Sequence, residues 1–94
     1  MHVVVRHDKG SSKLMDMLVG DRTDIEELIR GVDGFVAYYL VRTAEGGASI
    51  SIFENEAGTT ESTKRAATFR RENHPGVAAG PPEIIEGQAV IDFR

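Results

Sequence analysis

From Gly34 to Phe53 the chain reads GFVAYYLVRTAEGGASISIF, two short strands around a Glu45-Gly46-Gly47 turn. A sheet with one face in water alternates apolar and polar residues along each strand. The run Phe35-Val36-Ala37-Tyr38-Tyr39-Leu40-Val41 has no polar register, so both faces of this hairpin need cover. A chain of 94 residues has few helices with which to supply it. The missing cover is most simply a second copy of the same chain.

The rest of the chain supplies the elements around that hairpin. His2 to Arg6 is a β-branched run and reads as the first strand. Lys9-Gly10-Ser11-Ser12 breaks it, and either serine can cap the helix after it. Leu14, Met17, Leu18, Ile25, Leu28 and Ile29 recur at helical spacing, with Met17 read as core filler. Gly20 weakens the middle and Asp24 with Glu27 offers a restart, so this is one bent helix or two shorter ones, stopped at Arg30-Gly31. The hairpin runs to about Glu54, and Asn55 to Thr60 reads as a polar connection. Glu61 to His74 is the second helix, thin on its apolar face (Ala66, Ala67, Phe69), and His74-Pro75-Gly76 ends it. Val77 to Pro82 is a loop. Glu83 to Phe93 carries the last strand, with a bulge expected at Gly87.

The order is β-α-β-β-α-β, a ferredoxin-like α+β arrangement in one domain spanning residues 1–94. Both helices lie on one face of a four-stranded antiparallel sheet. The other face keeps aromatic and aliphatic side chains uncovered, and an apolar patch of that kind marks an interface. Homodimerisation through the sheet faces is the structural expectation.

Composition narrows the function classes. With no cysteine there is no disulfide framework, thiolate metal site or cysteine nucleophile, and the chain suits a reducing cytoplasm, where we expect it. No run approaches the roughly 20 apolar residues of a membrane span. The N-terminus lacks the apolar region and cleavage site of a signal peptide. Formal net charge is -4, and the nearest basic stripe, Lys64-Arg65 with Arg70-Arg71, is interrupted by Glu61 and Glu72. Neither a nucleic acid nor a membrane is an expected partner.

GFVAYYLVRT on the second strand, the short glycine turn, ASISIFENEAGTTEST leading into the second helix and the Glu-rich final strand together resemble the dimeric α/β-barrel superfamily. Within it the chain is similar to the small antibiotic-biosynthesis-monooxygenase-like proteins. The resemblance covers nearly the whole chain. It implies a homodimer whose sheets face each other, with pockets between sheet and helices. It also implies chemistry on small molecules, such as cofactor-free oxygenation of phenols and quinols, or haem degradation. The haem-degrading branch uses an Asn, a Trp and a His ligand; this chain has no Trp, and its adjacent Asn73-His74 does not reproduce that separated triad. The expectation is therefore a cofactor-independent monooxygenase acting on a small aromatic or quinol-like compound. The alternative is a non-catalytic homodimer that binds a small hydrophobic ligand or regulates a partner.

Candidate site residues are His7, Tyr38, Tyr39 and His74; no cofactor and no metal site is expected. His7 ends the first strand, either bordering a pocket or simply exposed. His74 is a proton-transfer candidate or a helix C-terminal partner. Tyr38 and Tyr39 point to opposite faces, one toward the helices and one toward a second subunit or pocket, as phenol donors or as packing. Arg6 and Arg42 either hold an anionic ligand or form ion pairs, for instance with Glu54 or Asp92. Gly10-Ser11-Ser12 is a capping segment with weak anion-binding character. His2 receives no functional reading. Asp16, Asp21, Asp24, Glu54, Glu56 and Glu61 read as solvated.

Overall fold

The computed structural model describes residues 1–9, 12–76 and 82–94. Strand β1 (His2–Lys9) is followed by helices α1 (Ser12–Gly20) and α2 (Arg22–Arg30). The hairpin β2 (Phe35–Thr43) and β3 (Gly46–Phe53), helix α3 (Glu56–Asn73) and strand β4 (Glu83–Gln88) complete the fold. The four strands form one antiparallel sheet in the order β2-β3-β1-β4. This is the expected ferredoxin-like α+β fold, with its first helical segment divided in two. The Gly10-Ser11 part of the capping segment and residues 77–81 of the loop lie outside the described residues.

The division falls on Asp21. Its φ of -95° and ψ of 17° leave the helical region, yet its N–H donates to the Met17 carbonyl at 3.0 Å and its carbonyl accepts from the Ile25 N–H at 3.0 Å. The helical ladder runs almost through the joint, so the two helices form one bent unit. Methionine burial differs from expectation: Met15, with Leu14, is fully buried, whereas Met17 is only partly covered. Gly47 explains this, because a Cβ there would stand 2.1 Å from Met15 Sδ. The thioether fills the space that glycine leaves.

Helix α3 begins at Glu56, five residues before the expected start at Glu61. The segment Asn55 to Thr60 looks like a connection because glycine and threonine are poor helix formers. Two tertiary features outweigh propensity. Asn55 is a true N-cap whose Oδ1 accepts from the Gly58 N–H at 3.1 Å. Gly58 lies against the fully buried Phe53, where a Cβ would meet the ring at 2.7 Å. The helix therefore sits close on the sheet at its N-terminal end.

Phe53 also centres the main core, with Ile29 and Val32 packed by Ile25, Leu28, Phe35 and Tyr38. The Phe35 and Phe53 rings meet edge to face at 5.8 Å, and the Arg30 guanidinium lies 5.2 Å from the Phe35 ring centre. Phe35 and Tyr38 are three apart yet pack on one core. The register shift between Phe35 and Ala37 makes that possible, since an unbulged strand would send them to opposite faces.

That is the bulge of the sheet. Gly87, where one was expected, pairs in plain register with Val3. The last strand also stops earlier than expected, at Gln88 rather than Phe93. Gln88 pairs with His2, and the following Ala89 N–H reaches Met1 C=O at 2.9 Å. Beyond this bond Val90, Ile91 and Phe93 stand exposed.

Candidate functional site

Alternation along the strands sorts the sheet into two faces. Toward the helices point Arg6 and Asp8 of β1, Tyr38 and Leu40 of β2, and Ser49 and Ser51 of β3. They form the floor of a cavity between the sheet and all three helices. Its walls are apolar, from Leu18 of α1, Ile25 and Leu28 of α2, and Ala66, Ala67 and Phe69 of α3. Ser62, Thr63 and Arg70 add polar groups from α3. The centre of a water molecule can range over ≈ 70 Å³ inside it. An apolar cavity of about 150 Å³ holds benzene, so a single-ring ligand enters this one only as its walls yield.

The polar groups in this cavity are poised rather than spent. Among the described residues, the side chains of Arg6, Asp8 and Arg70 form no hydrogen bond or ion pair with the protein. Burial pushes the Tyr38 phenol above its ordinary value; the nearby Arg6 charge opposes this and Asp8 adds to it. Tyr38 is thus a neutral O–H donor at physiological pH. Convergent polar groups at one end of an apolar cleft are the usual form of a small-molecule site.

The opposite face is apolar. Cross-strand rows run Tyr39, Ile50, Val5, Ile85 and Ala37, Ile52, Val3, Gly87, with Val41, Ala48 and His7 beside them. Tyr39 is 56% exposed and Ile85 72%. The two tyrosines therefore divide as expected, Tyr38 inward and Tyr39 outward. His7 shares the outer face with Tyr39. Neither enters the cavity with Tyr38.

His74 is the C-cap of α3, and its Nε2 meets the Asp21 carboxylate. This contact clamps the end of α3 to the α1–α2 joint. The Asp21 carboxylate, expected to be solvated, is instead three-quarters buried there. Leu18 and Ile25 flank Asp21, and the His74 N–H donates to the Arg70 carbonyl at 2.8 Å. The clamp therefore lies beside one end of the cavity without being part of its lining.

His2 is also better placed than its sequence context suggests. Its Nδ1 is 2.7 Å from Thr59 Oγ1, which itself donates to the Glu56 carbonyl at 2.9 Å. The hydroxyl proton is thereby committed, so His2 Nδ1–H donates and Nε2 faces Glu86 at 4.0 Å. Arg42 pairs with neither Glu54 nor Asp92. It meets Asp16 at 2.7 Å in an exposed contact, while Asp92 is held by Arg94.

Asp8 and Arg70 were not singled out from sequence. Asp8 had a signal: it lies two residues from Arg6 on one strand, so both side chains share a face. Arg70 had none, because Arg70-Arg71 reads as a solvated pair until the helix phase is fixed. Among the described residues no group of three or more His, Asp or Glu could hold a metal ion.

No family model and no curated protein sequence matches the chain. Solved structures do match in fold. The haem degrader MhuD from Mycobacterium tuberculosis, with two haems bound in its active site, superposes with a TM-score of 0.72 at 14% identity, covering 100% of both chains. A monooxygenase from the ActVA-Orf6 gene of Streptomyces coelicolor, in complex with nanaomycin D, gives 0.68 at 20% identity over 99% of this chain and 89% of that one. A protein of unknown function from Nitrosomonas europaea gives 0.69 at 18% identity, covering 99% and 91%. The chain therefore shares its fold with these proteins. No helix among the described residues is long and apolar enough to cross a membrane.

Proposed function

We propose that the protein is a homodimeric, cytoplasmic, cofactor-independent monooxygenase acting on a small aromatic or quinol-like compound. One observation carries this reading: an apolar cavity whose floor gathers Tyr38, Arg6 and Asp8, the two charges unpaired, with Arg70 on its wall. The apolar walls hold an aromatic ring and exclude water. Asp8 accepts the proton of a substrate hydroxyl. Tyr38 donates to a developing oxygen anion. In the overall step a phenol and O₂ give a quinone and water. One oxygen atom enters the ring, and the hydroxyl hydrogen and the displaced ring hydrogen leave in the water. The balance needs no outside reductant.

Two fold relatives carry protoporphyrin ligands, but haem does not fit the cavity of this chain. No histidine lines it, its volume is far below that of a tetrapyrrole, and His74 Nε2 is engaged by Asp21. No step is routed through haem. Of the four sequence candidates, Tyr38 is assigned to the cavity, His7 and Tyr39 to the dimer face, and His74 to the end clamp. The outer face supports dimerisation because its apolar rows have no cover from their own chain.

A second reading, a ligand-binding dimer without chemistry, is favoured by the absence of any histidine from the cavity lining. Oxygen uptake separates the two. With electron-rich single-ring phenols and quinols, the wild type is expected to consume O₂ and form quinone, and Asp8→Asn to lose this. Binding of those compounds without oxygen uptake favours the second reading, and no binding at all contradicts both.

A further inference from the structure

The charge inside the cavity is opposite to that of the molecule around it. The chain carries a formal net charge of -4. The cavity lining holds two guanidinium groups, Arg6 and Arg70, against the single carboxylate of Asp8. Arg6 rises from the sheet on β1 and Arg70 comes from α3, so the two reach the cavity from opposing layers. Both side chains are partly buried. Neither forms a hydrogen bond or ion pair among the described residues, although acidic residues are in surplus along the chain. Of the other helix arginines, Arg30 is held by Glu26 and Arg65 by Glu61, each on its own helix, whereas Arg22 and Arg71 meet no carboxylate among the described residues but do not line the cavity.

Leaving two partly desolvated guanidinium groups without carboxylates costs stability unless something else meets them. From this excess of positive charge we infer that the ligand of the cavity is an aromatic acid: a single hydroxylated ring carrying one carboxylate, held between Arg6 and Arg70. The inference rests on reading this cavity as the ligand site, and it names the class of compound that the site takes. A guanidinium presents paired N–H donors that match a planar carboxylate, and such charge-assisted bonds are stronger than those to a neutral amide. Asp8, on the same face of the sheet, disfavours a second negative group, which sets the charge at one. The serine hydroxyls of Ser49 and Ser51 and the protonated Tyr38 phenol suit an uncharged hydroxyl on the ring.

The test uses para-hydroxybenzoate and its neutral isostere para-hydroxybenzamide, titrated into the wild-type protein and followed by NMR shifts of backbone amides on β1, β2 and α3. The acid is expected to bind about tenfold or more tightly than the amide. The preference should shrink as salt is raised. Arg6→Gln and Arg70→Gln, checked for folding by their own spectra, should each reduce binding of the acid and leave that of the amide nearly unchanged. Equal or tighter binding of the amide overturns the charge assignment but leaves the cavity as the ligand site. Failure of both compounds to shift any cavity amide overturns the assignment and the site reading together. A preference for the acid that survives in both arginine variants also overturns it, since the charge would then come from elsewhere.

Discussion

The covered face of the sheet mixes core side chains, Val4 and Phe53, with charged and hydroxyl groups, whereas the open face is largely apolar. The face beneath the helices carries Arg6, Asp8, Ser49, Ser51 and the Tyr38 hydroxyl, and it is covered. The face without helices carries Val3, Val5, Ile50, Ile52, Tyr39 and Ile85, and it is open. Burying polar groups is unfavourable unless they are matched, and exposing a continuous apolar sheet is unfavourable unless it is covered. A polar-ended ligand would match the covered side, and a second sheet would cover the open one. Neighbouring residues make the contrast sharpest. Ser49 and Ile50 are adjacent on β3, yet one floors the cavity and the other sits mid-row on the open face.

The most damaging way to test that contrast is a charge on the open face. Ile50→Asp places a carboxylate in the central Tyr39, Ile50, Val5, Ile85 row, where a dimer would have to bury it. Association should weaken by about 3 kcal/mol or more, over a hundredfold in Kd, as read by sedimentation. The fold itself should survive, because this side chain packs on no helix. A dimer unchanged by the substitution would break the comparison on its open side.

A smaller effect is expected from the covered side. Gly58→Ala forces a methyl group to 2.7 Å from the Phe53 ring, so α3 must lift from the sheet. Overpacking of this kind costs roughly 1–3 kcal/mol. Urea unfolding at a fixed protein concentration measures it, and the open face, which this change does not touch, should keep its association. A variant as stable as the wild type would show that the close approach is slack.

The finest probe is alkaline pH. Burial holds the Tyr38 phenol above its ordinary value of 10.0. The unfolded chain therefore ionises first, so this contribution to stability is complete below pH 10 and is lost as pH rises toward the raised native value. Thermal unfolding of the wild type should accordingly weaken with pH above 10 more steeply than that of Tyr38→Phe. Equal slopes would mean that the phenol is not desolvated in the cavity.

Much of this molecule is legible in its sequence, and the failures have physical causes. The hairpin without a polar register foretold apolar side chains on both faces, and adjacency alone foretold the division of Tyr38 from Tyr39. Both rest on the two-residue period of a strand, which tolerates few exceptions. The start of α3 was misplaced because propensity speaks against Gly58 and Thr59, whereas the contact that selects glycine there lies with Phe53, in the preceding strand. Met15 was passed over for Met17 because its cavity is made by the missing side chain of Gly47. The early end of β4, at Gln88 opposite His2, is set by strand pairing and not by the alternation that continues to Phe93. For the site, Arg6 and Tyr38 were visible as chemistry. Asp8 could have been read from its spacing to Arg6. The joining of Arg70 to them, and of His74 to Asp21, depends on how three helices settle on the sheet, which no local pattern encodes.

The account turns on the open face having a second copy as its cover. Sedimentation velocity on the wild-type protein at micromolar concentration tests this directly. The account predicts one boundary at twice the mass of the chain. A single boundary at the mass of one chain, from protein with a well-dispersed NMR spectrum, would contradict it, because the apolar face would then be stable in water.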